Sequence, residues 1–245
     1  MTAETDLTRR RVEFWIRESL RDVSLAGADV LDVGAGDGLF TRYIAEAGAR
    51  RVVALEPEAA GSGAGAASVL ERRVRSDGLD NVECRRETFQ SYAGPPGSFD
   101  ILLLHHVVNH LDEAAVARLH LDEDARASYR VLLGRCRDLL RPGGVAVIVD
   151  CARLNLFRWL GRRHPLAPTI EWSKHQNPEV WIRLLDAVGF RPIHLYWPVA
   201  RRLRPARRLL ANRYMSLALD SRFVLHARAG GATPGASPAS DRHAG

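Results

Sequence analysis

Val30-Leu31-Asp32-Val33-Gly34-Ala35-Gly36-Asp37-Gly38-Leu39-Phe40 is the stretch whose reading decides the fold of this chain. Asp29 to Val33 carries the apolar and β-branched residues of a short buried strand. Gly34, Gly36 and Gly38 then remove Cβ from three alternate positions, so the backbone can turn through positive φ and let a ligand lie against it. From Leu39 to Ala47 apolar residues recur at helical spacing (Phe40, Tyr43, Ile44, Ala47). A helix therefore starts where the glycines end, with its free N–H groups aimed at that ligand.

The dinucleotide fingerprint requires G-x-G-x-x-G, whereas the spacing here is G-x-G-x-G, with Leu39 where the third glycine belongs. Glu56 ends a second apolar strand, Arg51 to Leu55, 20 residues beyond Gly36, which suits a carboxylate that accepts ribose hydroxyls. With these residues the chain resembles the class I S-adenosylmethionine (SAM) dependent methyltransferases. The resemblance implies an α/β fold: a Rossmann-like seven-stranded sheet with helices on both faces and an antiparallel C-terminal hairpin. It implies SAM as cofactor, with Asp32, Gly34, Gly36 and Gly38 around its methionine part and Glu56 on its ribose. Glu87, after a third strand over Asp80 to Arg86, matches the acid that accepts the adenine amino group in that family, with Thr88 beside it. Leu140-Arg141-Pro142-Gly143-Gly144 before an apolar strand is a further family feature.

Composition bounds the function. The chain has 245 residues, 46% hydrophobic and 26% charged, which suits one α/β domain with a substantial core. No run of about 18 apolar residues occurs, and Met1 to Arg10 contains no apolar signal segment, so the chain is expected to be cytoplasmic. Cys84, Cys136 and Cys151 are widely spaced, read as reduced core thiols, and suggest no metal site. Charge is uneven. Between Cys151 and Arg213 thirteen Arg or Lys face three acids, leaving +10 there and −4 elsewhere in a chain of net +6. Trp159, Trp172, Trp181 and Trp197 lie in the same region, which hints at an anionic acceptor or a surface partner.

In chain order, Thr8 to Val23 reads as an amphipathic helix with Val12, Trp15, Ile16, Leu20 and Val23 on one stripe. By resemblance, residues 1–24 form an N-terminal helix covering the site and 25–228 the methyltransferase domain. Ser98 to Leu104 is a central parallel strand that ends in His105-His106, and Val116 to Leu140 is helical with a break near Leu121. The fifth strand is expected at Val145 to Asp150, and residues 151–178 as a lid or acceptor region. A helix from Pro178 with Asn177 as its cap follows. Two closing strands are expected over Arg191 to Trp197 and Ser221 to Arg228, interrupted by a basic insertion at 199–219, and residues 229–245 read as a disordered tail.

Methyl transfer to a hydroxyl needs alignment with the donor and a base for the acceptor proton. His105, ending the fourth strand, should border the SAM pocket. His106, His110 and His175 are the catalytic candidates, with His106 or His175 favoured as base. His106 and His110 have metal-ligand spacing, but no third ligand is placed by the sequence, so no metal is expected. DNA-modifying relatives in the resembled family carry Asn/Asp-Pro-Pro-aromatic after the fourth strand or a Pro-Cys nucleophile. This chain has His105-His106-Val107-Val108 there and no Pro-Cys, so the resemblance implies an acceptor other than DNA. The expectation is O-methylation, less readily N-methylation, of a small metabolite, natural product or sugar. The alternatives are RNA methylation, a lipid-linked acceptor reached by membrane contact through Arg201 to Arg208, and a non-catalytic SAM-binding protein.

Overall fold

The computed structural model describes residues 12–58, 65–164, 170–199, 205–218 and 221–230. Helix α1 (residues 12–19) leads into β1 (Asp29–Val33), α2 (Leu39–Glu46), β2 (Arg51–Leu55), α3 (Ala66–Ser76), β3 (Val82–Arg85) and β4 (Phe99–His105). Then follow α4 (Glu113–Val116), α5 (Glu123–Leu139), β5 (Leu140–Cys151), α6 (Leu156–Trp159), α7 (Pro178–Ala187), β6 (Phe190–Tyr196), α8 (Arg207–Leu210), α9 (Arg213–Ala218) and β7 (Arg222–Ala229).

The seven strands form one sheet in the order β3-β2-β1-β4-β5-β7-β6. β1 to β5 are parallel, and β7 runs antiparallel between β5 and β6. The chain moves outward from β1 to β3, then returns to β4 on the other side of β1. Its direction thus reverses between β1 and β4, and the crevice beyond their carboxyl ends is where such sheets bind ligands.

Side-chain alternation along the strands makes two cores. Leu31, Val33, Leu102, Leu104, Ala146 and Ile148 face α5 and α7, whose Tyr129, Leu133, Trp181 and Leu185 are buried there. Val30, Ile101, Leu103, Val147 and Val149 face α1 and α2, and receive Ile16, Leu20 and Ile44. Burial of Ile16 and Leu20, worth about 2 kcal/mol each, fixes α1 on this sheet face.

Several boundaries differ from the sequence reading for identifiable reasons. The expected break near Leu121 is an interruption between α4 and α5, each capped by an aspartate: Asp112 accepts from the Ala115 N–H and Asp122 from the Asp124 N–H, both at 2.9 Å. β5 begins at Leu140, not Val145, because Leu140 already pairs with Phe99; Pro142 to Gly144 bulge out before Val145 pairs with Ile101. Asn177 occupies the cap position of α7, yet its side chain accepts from the Leu154 N–H at 3.2 Å instead. The expected long irregular stretch contains α6, capped by Asn155, and a 3₁₀ turn at Trp172–Lys174. Expectations for residues 8–11, 59–64, 231–245 and for Arg201, Arg202 and Arg204 lie outside the described residues.

Candidate functional site

A cavity of about 500 Å³ opens at the carboxyl ends of β1, β2 and β4. Gly34 and Gly36 of the glycine turn line it, and Gly38 does not. Gly34, Gly36 and Gly38 all have positive φ (67°, 59° and 81°), but for different reasons. A Cβ on Gly34 would lie 2.5 Å from Val107 Cγ2, and one on Gly38 2.5 Å from Leu70 Cδ1. A Cβ on Gly36 would meet nothing within 4 Å and would stand in the cavity. Gly36 is therefore the glycine that keeps a cradle open. Its N–H donates to Glu56 Oε2 at 2.7 Å, which ties the turn to the end of β2.

Glu56, Glu87, Thr88, His106 and His110 all border this cavity, together with Gly34 and Gly36. Asp32 and His105 do not. Both point to the other sheet face, as strand alternation requires. Asp32 is buried beneath the turn and accepts from Thr41 Oγ1 at 2.7 Å. Burial, opposed by that hydrogen bond and reinforced by the charge of Glu56, pushes its pKa up to about 6. Asp32 thus anchors α2 under the glycine turn. The His105 ring packs 3.8 Å from the centroid of Phe40. Desolvation, then the neighbouring His106 and Arg222 charges, hold its pKa well below the ordinary histidine value, so it is neutral there. No residue of α1 borders the cavity, and Ile16 of α1 packs against the sheet; residues 1–11 lie outside the described residues.

Behind His106 stands a group the sequence reading missed. Asp150, near the end of β5, is fully buried. Its Oδ1 lies 2.9 Å from His175 Nδ1 and 3.9 Å from His106 Nδ1, and its Oδ2 has no hydrogen-bond partner. Burial pushes the carboxyl up, but the two imidazoles outweigh it and hold its pKa below the ordinary carboxylate value. Ionised, it can only accept, so His175 Nδ1 donates. His175 is buried and does not border the cavity; His106 does. His106 also has a left-handed backbone (φ 55°), uncommon without glycine, held by its N–H donating to the Val149 carbonyl at 2.8 Å. The signal for Asp150 was present: it ends an apolar parallel strand as Glu56 does.

His110 takes a different partner. Its Nδ1 lies 2.7 Å from Glu113 Oε1, and Glu113 Oε2 pairs with Lys174 Nζ at 2.9 Å. Lys174, on the turn before α7, also holds Glu171 at 2.9 Å, so the region expected as a lid is strapped to α4. Hydrogen bonds from Lys174 and His110 keep the Glu113 carboxyl below its usual pKa.

Among the described residues the cavity lining contains glutamates and histidines but no arginine or lysine. The described arginines of the basic segment therefore do not line it. Among the described residues no group of three or more that could hold a metal is found, and no helix is long and apolar enough to cross a membrane.

A family model described as a methyltransferase domain matches residues 7–195. The chain is similar to a ubiquinone biosynthesis O-methyltransferase of Rhizobium etli, 26% identical over 211 residues, or 77% of this chain and 74% of that protein. A protein of the same name from Ruegeria pomeroyi is 26% identical over 235 residues, 88% of this chain and 83% of the other. Among solved structures, a SAM-dependent methyltransferase from Aquifex aeolicus has the same fold, with a TM-score of 0.57 at 14% identity over 90% of this chain and 97% of its own. A seven-stranded sheet of this order, an open cradle above Gly36 and a family match over most of the chain agree: the chain belongs to the methyltransferase-domain family and is a class I SAM-dependent methyltransferase.

Proposed function

We propose that the protein methylates an oxygen of an uncharged, hydroxylated small molecule, with His106 as general base. The observation that carries this reading is the pairing of His106, on the cavity wall, with the buried Asp150 carboxylate behind it. In this reading Gly36 leaves room for the donor, Glu56 accepts its ribose hydroxyls, and Glu87 and Thr88 border its adenine. SAM supplies a methyl group already activated by a positive sulfur. The acceptor oxygen forms the new O–CH₃ bond as the S–CH₃ bond breaks, and the hydroxyl proton passes to His106.

His106 presents Nδ1 to Asp150, which leaves Nε2 for the acceptor. From 3.9 Å the Asp150 carboxylate stabilises the imidazolium that forms through its charge. His175 holds the carboxylate in place by a hydrogen bond to the same oxygen, Oδ1, at 2.9 Å. Among the described residues the lining has no arginine or lysine, which favours a neutral acceptor over an anionic one. Similarity to proteins named O-methyltransferases supports oxygen over nitrogen. A cavity of about 500 Å³ suits the donor beside a small acceptor.

The test is transfer of labelled methyl from SAM to matched panels of phenols, alcohols, carboxylates and amines, with wild type and His106→Asn. Asparagine tolerates the left-handed backbone, so folding is retained. The expected outcome is labelling of a phenol or alcohol and a loss of about 10²–10⁴-fold in turnover in the variant, with SAM affinity unchanged. A variant that turns over like wild type removes His106 as base, and labelling confined to amines removes the oxygen acceptor.

A further inference from the structure

Nine large apolar side chains are exposed among the described residues, and seven of them fall in two short segments. Leu154, Leu156, Trp159 and Leu160 flank α6, and Leu209, Tyr214 and Met215 lie on α8 and α9. Trp159 is 82% exposed, Leu209 76% and Tyr214 72%. These values are extreme for side chains that ordinarily drive folding.

The two segments form one surface. α6 packs against α9, and Asn155 Nδ2 donates to Ser221 Oγ at 2.8 Å while Ser221 Oγ donates to the Leu154 carbonyl at 2.9 Å. Both lie beyond the carboxyl end of β5, where Cys151 pairs with Arg222. That is the edge of the sheet on which the cavity opens.

Charge completes the description. Residues 151–164 and 205–218 contain seven arginines (153, 158, 162, 163, 207, 208 and 213) and no acid. Arg158, Arg162, Arg163 and Arg208 are exposed. Arg213 reaches an acid outside these segments, Glu179, at 3.4 Å.

We propose that this face, built by residues 154–163 and 207–215, docks on the surface of an anionic lipid bilayer. Trp159, Leu160, Leu209 and Tyr214 enter the headgroup region, and the arginines meet lipid phosphates at the rim. Nucleic acid fits less well, since four exposed leucines offer nothing to a phosphate backbone. Docking brings the cavity's edge of the sheet to the bilayer, so an acceptor dissolved in the membrane reaches the site without crossing bulk water.

The experiment is flotation of the full chain with vesicles of phosphatidylcholine alone, or of phosphatidylcholine with about 30 mol % phosphatidylglycerol. Wild type is expected to float with the anionic vesicles only, and to be released by about 0.5 M salt. The double variant Trp159→Ser, Leu160→Ser removes only exposed side chains; it should keep SAM binding and lose about tenfold of the vesicle-bound fraction. Arg162→Glu with Arg163→Glu should abolish the preference for phosphatidylglycerol. A serine variant that floats like wild type, or a wild type that floats with neither vesicle, overturns the proposal. So does a wild-type dimer that the serine variant dissociates without vesicle binding, because a second copy then covers the face. Vesicle binding is read without methyl transfer, so its outcome is independent of the acceptor.

Discussion

Alanine at each of the three turn glycines in separate variants distinguishes ligand space from packing space. All three sites have positive φ, which costs alanine roughly 1–2 kcal/mol. At Gly36 nothing lies within 4 Å of the new Cβ, so that strain is the whole cost. At Gly34 the methyl would also strike Val107 at 2.5 Å, with Val107 Cβ behind at 3.1 Å, adding about 1–3 kcal/mol of overpacking. Gly38 falls between, since Leu70 Cδ1 is the tip of a side chain that can turn aside. At roughly 2–4 °C per kcal/mol for a domain of this size, Gly36→Ala should lower Tm by about 2–8 °C and Gly34→Ala by about 4–20 °C. Affinity should follow another order. Calorimetric titration with SAM should show Kd for Gly36→Ala raised about tenfold or more, because its methyl stands in the cradle. A Gly36→Ala variant with wild-type Kd would refute the assignment of the cradle to the donor.

Glu56→Gln should weaken SAM by about 1–3 kcal/mol through lost charge-assisted bonds to the ribose, read as Kd by calorimetry; an unchanged Kd assigns the ribose to another group. Asp150→Asn should lower turnover by about tenfold or more at unchanged SAM affinity, since a neutral amide stabilises the imidazolium poorly; unchanged turnover detaches Asp150 from catalysis. Asp32, with its folded pKa raised from the ordinary 3.8 to about 6, keeps a proton that the unfolded chain has already lost. Its contribution to stability therefore falls as pH rises from about 3.8 to 6, by roughly 3 kcal/mol in all. Denaturant titrations should show Asp32→Asn gaining stability relative to wild type between pH 4 and pH 7.5, and a constant difference across that range would show that Asp32 is ionised throughout.

Much of the fold was legible because its signals are local. Apolar β-branched runs marked β1, β2, β4 and the core of β5, and the glycine triplet with Glu56 placed the cavity. Face assignment was lost wherever resemblance replaced alternation. Asp32 follows Leu31 and precedes Val33, so a buried strand must turn it to the opposite face, toward Thr41. The same count separates His105, on the α2 face, from Asp150, which shares its face with Ile148 and meets His175. The Asp150 constellation joins residues far apart in sequence: His106, Asp150 and His175. No periodicity brings those together; only the β4–β5 register and the return of the chain before α7 do so.

The position of β7 between β5 and β6 has a consequence for synthesis. β5 is complete at Cys151, but the strand that covers its open edge begins only at Arg222. At ordinary translation rates those 70-odd residues take roughly 4–14 s to make. Throughout that interval the apolar run Val145 to Val149 presents unpaired N–H and C=O groups, and β6 has no strand to pair with. The nascent chain therefore carries a sticky edge that its own last strand must seal, and truncation within β7 would turn a transient hazard into a permanent one.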